Sequence, residues 1–450
     1  MIYRKFKLSK AVILRLSGED KRILKILEDV VKDVAQLYEQ QLSDGFYPSG
    51  VSRDQIEKSS RKNATLLSPF TYVSLENKEL KAVPFHQKYA SYLQPIAQKI
   101  ETAAKISSNH SFRNYLRARA KSLISGDYKT ADIVWFSVRN SAIDFSVGPF
   151  ERYLDKLFFR KRIFQAHVGV VDQELTEKAN QIKETLFISA KISHNKHHST
   201  NIPRKGVNVF VEETPSTSGY MADVLFSGEH FPSDLEIMQQ YGSKILIYEP
   251  QLKEKFERVH YPIFKSIFEK RFASKYSKEL LFKATAWNVL LYELGRQLHK
   301  FIGARERLSE FYGPIDEANG FASGIQHAKN LVVKGLISQD ELEAIIIIHI
   351  VWMFADWLLY KNGKAMESYV YGNAIDLHYY LVSGALKEQR GISWPNFSKI
   401  FFEIEALAEI LVGLLEKGSY QEAKEFVEKN AQLDNFERLA KNLKNIKLTL

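Results

Sequence analysis

The segment LYELGRQLHK, residues 291–300, lies in a stretch from 278 to 303 whose apolar residues recur at helical spacing. Within it, Glu293 precedes Arg296 by three residues. Side chains three or four residues apart are neighbours on a helix surface, so these opposite charges can pair. The segment therefore predicts a helix that carries a small charged cluster.

Composition indicates an ordinary globular protein. The chain has 450 residues, of which 45% are hydrophobic and 26% charged, enough apolar material for a large core. Cysteine is absent, which excludes disulfides, thiolate metal sites and cysteine nucleophiles. The formal charge of +10 is spread along the chain without the pattern of a nucleic-acid module, so we expect a solvated basic surface.

The apolar runs indicate neither secretion nor a membrane span. In MIYRKFKLSKAVILRL, residues 1–16, too few apolar residues precede Arg15 for a signal-peptide core. The run AIIIIHIVWMFADWLLY, residues 344–360, is short for a bilayer and contains His349 and Asp356. We therefore expect a cytoplasmic protein in which this run is a buried helix.

Periodicity predicts a mainly helical chain with one β-rich part. Helical spacing is present at 18–43 and 89–124. The short runs VNVFV, ADVLF and SKILIYEP, between 207 and 250, are typical of strands. After Lys253 the pattern is helical again, at 253–274, 278–303, 315–335, 339–360 and 397–430.

These patterns predict an α+β fold of two lobes. Residues 1–250 would form an N-terminal lobe of helices followed by the β-rich part, and residues 251–450 a helical lobe. We expect the lobes to be in contact, because neither a repeat nor an obvious flexible linker separates them. The polar stretch SHNKHHSTNIPRKG, residues 193–206, is the best loop candidate.

The spacing of Tyr292, Glu293 and Arg296 is that of a zinc-peptidase helix without its histidines. In such a helix, two histidines four residues apart bind zinc, and the glutamate after the first polarises a metal-bound water. Only Glu293 is of the required type here. Taken alone, a helical glutamate of this kind is most often a surface or salt-bridged residue.

Other segments, in a compatible order, give this helix a context. They are DYKTADIVW at 127–135, IDFSVGPFERYLDKLF at 143–158, DEANGFASGIQHAKNLVVKGLIS at 316–338 and YGNAIDLHYYLVSGAL at 371–386. Together with 291–300, they resemble the dipeptidyl peptidase III family in its shorter bacterial form, from about residue 20 onward. The resemblance implies a helical zinc lobe, a lobe with a β core, a peptide cleft between them, and zinc-dependent dipeptidyl-peptidase activity.

Matching the family's motifs to this chain shows a degenerate site. The family's two zinc-binding histidines match Tyr292 and Arg296, and its general base matches Glu293. The third zinc ligand matches Glu317, in the stretch Asp316 to Phe321. The acid that closes this stretch in the family and orients a zinc-binding histidine is replaced by Phe321.

A second family motif has also lost its histidine. The family's His-Gly-x-Gly-Asn stretch, whose histidine is thought to stabilise the transition state, matches residues 369–373. Tyr369 takes the histidine's place, while Gly372 and Asn373 are retained. The substitutions are therefore concentrated at positions that carry the chemistry.

We expect these substitutions to remove the metal site. Tyrosine binds a metal only as phenolate, from an ordinary pKa near 10, and arginine is a permanent cation that repels Zn²⁺. Arg296 can instead pair with Glu293 or Glu317. The sequence thus predicts a salt-bridged centre without metal, and no cofactor.

Other histidines do not restore the zinc-peptidase spacing. His299 lies six residues after Glu293, and His327 lies ten after Glu317, so packed or capping roles are favoured. His194, His197 and His198 could hold a metal in a loop, although a solvated turn is the simpler interpretation.

Two residues match family positions that contact the substrate's N-terminal end. These are Glu151 and Tyr153 in GPFERYLDKLF. An acid there would pair with a peptide α-amine, and the alternative is a structural glutamate in a turn. The family's asparagine-rich substrate stretch falls on STSGYMADVLF, residues 216–226, where the asparagines are absent.

Three functions remain open from the sequence. The favoured one is an inactive dipeptidyl peptidase III-like protein that binds a peptide or protein partner in the cleft, with Glu151, Tyr153 and Asn373 as binding residues. The second is an active metallopeptidase with unusual ligands, which requires Arg296 to swing away from the metal. The third is a basic scaffold for acidic partners, and nucleic acid is not expected.

Overall fold

The fold is taken from a computed structural model, which describes residues 2–194, 206–232, 235–363, 365–387 and 395–443. His197 and His198, candidates for a loop metal site, lie outside the described residues, as does the side chain of His194.

The described residues contain 22 α-helices. The first eleven are α1 Lys10–Arg15, α2 Gly18–Asp44, α3 Arg53–Ser60, α4 Phe85–Lys88, α5 Ala90–Ile106, α6 His110–Ser125, α7 Tyr128–Phe136, α8 Gln173–His194, α9 Tyr220–Asp223, α10 Leu235–Tyr241 and α11 Glu249–Lys255. The others are α12 Tyr261–Ile267, α13 Lys270–Ala273, α14 Lys278–Leu298, α15 Ala304–Leu308, α16 Tyr312–Ile325, α17 Lys329–Val333, α18 Gln339–Lys361, α19 Glu367–Val382, α20 Phe397–Glu416, α21 Tyr420–Asn430 and α22 Asp434–Leu439. A π-helical turn, Phe256–His260, connects α11 to α12.

The same residues form eight strands, and the chain divides into two compact units. The strands are β1 Tyr3–Lys5, β2 Thr71–Glu76, β3 Glu79–Pro84, β4 Ile143–Glu151, β5 Ile163–Val171, β6 Val207–Gly219, β7 Gly228–Phe231 and β8 Ser243–Tyr248. The first unit comprises residues 1–172 and 211–226, and the second 173–210 and 227–450. Each unit is made of two separate parts of the chain. The expected division into two lobes at about residue 250 remains a prediction.

In the first unit, an antiparallel sheet packs against helices. β4 pairs with β5, β5 with β6, and β1 with the end of β6. The helix α2 packs on β5 and on α5, which in turn packs on α6. β4 and β5 are buried along almost their whole length, so polar side chains on this sheet lie inside the protein.

The second unit is centred on α14, which packs against α16 and α18. Glycine permits the close approach of α14 to α16: a Cβ at Gly295 would lie 1.9 Å from the carbonyl oxygen of Gly320. A Cβ at Gly324 would lie 2.1 Å from the carbonyl oxygen of Leu291. Backbone atoms cannot yield as a flexible side chain can, so these glycines hold the two helices in contact.

The expected α+β class is confirmed, with one strand and several helix boundaries corrected. The run ADVLF does not form a strand, because Tyr220–Asp223 form a short helix after Gly219, whose φ is 71°. The helix expected at 397–430 is divided between α20 and α21 near Gly418.

The apolar run 344–360 lies in α18, which is long and apolar enough to span a membrane, but 72% of its most apolar window is buried. It is therefore a core helix.

Candidate functional site

The charged cluster forms where α14 faces α16. Arg296 Nη2 lies 2.6 Å from Asp316 Oδ2, and Arg296 Nε donates to the same oxygen at 3.2 Å. Arg296 Nη2 is 3.9 Å from Glu317 Oε1. The expected ion pair with Glu317 is thus present at longer range, but Asp316 is the closer partner, and Glu293 is not within ion-pair distance.

Tyr292 occupies the space beside this ion pair. Its hydroxyl donates to Glu317 Oε2, and its ring lies 5.6 Å from the Arg296 guanidinium carbon. Burial raises the pKa of Tyr292 well above its ordinary value, which the charge on Arg296 only partly opposes. Tyr292 is therefore a neutral hydrogen-bond donor to Glu317.

Two glycines make room for this arrangement. A Cβ at Gly320 would lie 2.5 Å from Arg296 Cγ and 2.8 Å from the Tyr292 ring. A Cβ at Gly372, on α19, would lie 2.8 Å from Glu317 Cβ. The absence of a side chain at Gly320 therefore leaves room for the Arg296 and Tyr292 side chains.

The three carboxyl groups of the site differ in their tendency to ionise. Burial raises the pKa of Glu293, against the attraction of Arg296 and Lys300. Burial also raises the pKa of Glu317, to about 7. For Asp316, burial is outweighed by Arg296 and Lys300, so its pKa is lowered. Asp316 is therefore the carboxylate that stays charged and neutralises Arg296.

Lys300 lies just after the end of α14 and completes the electrostatics of the site. Burial and repulsion by Arg296 lower its pKa to about 8. The sequence comparison drew attention to neither Lys300 nor Asp316 as a partner of Arg296. Asp316 directly precedes Glu317, and Lys300 lies four residues after Arg296.

Phe321 packs on a buried polar pair. Its ring stacks on the His349 ring, with centroids 3.1 Å apart and planes at 6°. His349 Nε2 lies 3.0 Å from Asp376 Oδ2. Burial raises the pKa of Asp376 and lowers that of His349, so both groups favour their neutral forms. Phe321 thus supplies an apolar surface against the His349 ring.

The residues of the second motif lie on α19. Tyr369 is half-buried in the first turn of the helix. Asn373 Nδ2 donates to Asp356 Oδ2 at 2.9 Å. Burial raises the pKa of Asp356, while Lys255 and Asn373 oppose the shift. Asn373 is therefore held by an intramolecular hydrogen bond.

Glu151 and Tyr153 belong to the first unit. Glu151 is the last residue of β4, after a register shift that follows Pro149. Burial raises the pKa of Tyr220, and the charge on Glu151 is the next largest cause of that shift. The Tyr153 ring lies 5.9 Å from the Tyr220 ring. The other candidate site residues belong to the second unit, and a common role for the two groups remains a prediction.

Buried histidines do not rebuild a metal site beside α14. His299 is the C-cap residue of α14 and is buried, as is His327. Within the described part of the chain, α14 and α16 hold no group of three metal-ligating side chains whose ligand atoms lie within 4.8 Å of one another. The donors present here are poorly suited to zinc, because a guanidinium takes the space next to both acids.

Comparison with known proteins identifies the fold. No protein-family model matches the chain. Nudix hydrolase 3 of Arabidopsis thaliana is 21% identical over 360 residues, which are 76% of this chain and 44% of that protein. The chain thus spans less than half the length of this curated relative.

Two solved structures share nearly the whole architecture. DPP III from Caldithrix abyssi has a TM-score of 0.86 and 19% identity, over 99% of this chain and 96% of that one. Dipeptidyl-peptidase III from Corallococcus sp. strain EGB has a TM-score of 0.80 and 19% identity, over 99% and 94%. The chain therefore has the two-lobed α+β fold of dipeptidyl peptidase III, as the sequence resemblance implied.

Replacing Glu317 with glutamine should change how stability depends on pH. The folded-state pKa of about 7 exceeds the ordinary value of 4.5, so the folded protein binds this proton more tightly than the unfolded chain does. The quantity compared is the free energy of unfolding of the parent minus that of Glu317→Gln. This difference should be largest below about pH 4.5 and should fall by up to roughly 3 kcal/mol as the pH rises through about 7. Chemical denaturation across this range measures the difference.

The matched control is Glu437→Gln, at a side chain that is 60% exposed. Its free energy of unfolding should follow that of the parent across the same pH range. If Glu317→Gln also follows the parent, Glu317 does not carry a raised pKa in the folded protein.

Proposed function

We propose that the protein is a catalytically inactive dipeptidyl peptidase III-like protein. The single observation that carries the proposal is the position of Arg296, whose guanidinium lies 2.6 Å from Asp316 and 3.9 Å from Glu317. Glu317 matches the family's third zinc ligand, and Arg296 matches one of its zinc-binding histidines. A fixed positive charge thus occupies the place where the resemblance would put a divalent cation.

The remaining donors support this proposal. Tyr292 would have to ionise to bind a metal, and its pKa is raised well above the ordinary value by burial. Moving Arg296 aside would leave the buried carboxylate of Asp316 without its partner, which costs about 3–5 kcal/mol for buried pairs. Metal binding at this place would therefore have to offset both costs.

The catalytic groups are incomplete as well. Glu293 matches the family's general base, but a base needs an activated water or nucleophile to act on. Tyr369 stands where the family has a histidine, and a neutral phenol cannot supply the charge of a protonated imidazole to a developing oxyanion. We infer that peptide hydrolysis has been lost.

A binding function is the part of the family role that these substitutions leave possible. We propose that the protein binds a peptide or protein partner, with Glu151, Tyr153 and Asn373 among the contacting residues. The two solved structures of the same fold are described as dipeptidyl peptidases, which supports a peptide ligand. A cytoplasmic location is part of the same proposal.

The parent protein should release no dipeptides from a chromogenic dipeptidyl substrate, with or without added zinc or cobalt. The physical reason is the fixed cation at the metal position and the missing imidazole at Tyr369. Absorbance of the released chromophore measures the rate. Hydrolysis that Glu293→Ala abolishes would contradict the proposal and favour an active peptidase with unusual ligands.

Rebuilding the family motif tests the matching of residues. A fourfold variant restores both zinc-binding histidines, the orienting acid and the histidine of the second motif, through Tyr292→His, Arg296→His, Phe321→Asp and Tyr369→His. This variant should bind zinc through Glu317. Adding Glu317→Gln to it should remove that zinc. If the folded variant binds no more zinc than the parent, the site assignment is wrong.

Short peptides with a free α-amine should bind the parent more tightly than Glu151→Gln, by roughly tenfold, because a charge-assisted hydrogen bond is lost. Isothermal titration calorimetry measures both affinities. Glu57→Gln, an exposed acid of the same unit, is the control. Equal affinity of Glu151→Gln and the parent would remove Glu151 from this role.

A further inference from the structure

Three buried polar side chains lie together on the sheet of the first unit. They are Asp144 on β4, His167 on β5 and Glu212 on β6, with exposures of 2%, 0% and 0%. One ligand atom from each lies within 4.8 Å of the other two. His167 Nε2 is 3.2 Å from Glu212 Oε2. None of the three was a candidate site residue from the sequence, although Asp144 lies in the quoted segment 143–158.

Strand register places the three side chains on one face of the sheet. Asp144 lies opposite Gly169, and His167 lies opposite Ser146. Glu212 lies opposite Val171. Opposed residues in an antiparallel pair point to the same face, and alternate residues along a strand share it. The three side chains therefore converge from three consecutive strands.

Gly169 provides the space in which they meet. It lies between His167 and Val171 on the same face of β5, next to a bulge in the pairing with β6. A Cβ at Gly169 would lie 2.1 Å from Glu212 Oε2. The missing side chain is what lets the Glu212 carboxylate reach across β5 toward His167.

Neighbouring groups fix the orientation of two of the three side chains. Ser146 Oγ lies 2.8 Å from His167 Nδ1, which directs Nε2 toward Glu212. Asp144 Oδ1 accepts hydrogen bonds from Trp135 Nε1 at 2.7 Å and from the Phe145 backbone at 2.9 Å. Such outer contacts are what orient histidine and carboxylate ligands in metal sites.

We propose that Asp144, His167 and Glu212 bind a divalent transition-metal ion of the zinc class. One imidazole nitrogen and two carboxylate oxygens form a donor set that suits Zn²⁺ and neighbouring first-row ions. In a tetrahedral site with bonds of about 2.0 Å, adjacent ligand atoms lie roughly 3.3 Å apart. The distance of 3.2 Å between His167 Nε2 and Glu212 Oε2 matches this spacing.

Charge and burial define the role of this metal. A divalent cation neutralises two ionised carboxylates that are otherwise costly to bury close together. Because all three ligands are almost fully buried, the ion is enclosed during folding and does not meet a substrate. Thr217, opposite His167 in the register, has a buried hydroxyl without a hydrogen-bond partner among the described residues, and offers an oxygen on the same face. The site is structural, and metal binding adds to folding stability.

The alternative is an ion pair between protonated His167 and Glu212 with no metal. Elemental analysis of the full-length protein, produced with zinc in the medium, separates the two. The proposal expects about one zinc per chain, and X-ray absorption of that zinc should show one imidazole nitrogen and at least two carboxylate oxygens near 2.0 Å. In a second experiment, the parent is unfolded with a chelator and refolded with added zinc. If the refolded parent still contains no zinc, the proposal is wrong.

Variants locate the ion. Asp144→Asn and Glu212→Gln should each weaken Co²⁺ binding, followed by visible absorption, on the order of 100-fold or more. Glu213→Gln, at the adjacent acid that accepts the Ser9 backbone N–H, should bind Co²⁺ like the parent. Circular dichroism checks that each variant folds, and X-ray absorption of the parent tests the ligands if a variant does not. Unchanged affinity in both folded ligand variants would overturn the assignment.

This metal is distinguishable from one at α14. Glu317→Gln should leave zinc content unchanged if the ion lies on the sheet. Zinc that is lost on Glu317→Gln and kept in Glu212→Gln would place the ion between α14 and α16. That result would overturn both this proposal and the proposed loss of the family's metal site.

Discussion

A guanidinium held beside a buried carboxylate is the interaction on which the character of the helical site depends. Arg296 and Asp316 pair at 2.6 Å, with Asp316 only 3% exposed. Neither charge can be buried alone at small cost, so each requires the other. The close contact of α14 and α16 through Gly295 and Gly320 brings the two charges together. The same contact places the Tyr292 hydroxyl on Glu317, so Arg296 and Tyr292 fill the space beside Asp316 and Glu317.

Much of the fold could be predicted from the sequence, because its signals are local. Apolar spacing predicted α2, α14 and α18, and the long burial of the 344–360 run follows from apolar residues on every face. The β-branched run SKILIY forms β8 as expected. The run ADVLF has equally suitable residues but lies after Gly219, whose positive φ starts a helical turn instead. Local propensity was overridden there by the backbone.

The candidate sites were predictable only where motif spacing was preserved. Spacing brought Tyr292, Arg296 and Glu317 to one place, but it could not rank Asp316 above Glu317 as the partner of Arg296. That ranking depends on the crossing of two helices, which sequence does not give. The cluster of Asp144, His167 and Glu212 is spread over three strands, and no spacing in the sequence signals it. Its members become neighbours only through strand register and a glycine.

The most direct measurement of the central account is a double-mutant cycle on Arg296 and Asp316. Arg296→Gln and Asp316→Asn each leave one buried charge alone and should destabilise the protein by about 3–5 kcal/mol in chemical denaturation. The double variant removes both charges, so its loss should fall short of the sum by at least about 1.5 kcal/mol. If the two single losses sum to the loss of the double variant within about 0.5 kcal/mol, the two side chains are not coupled and the account is wrong.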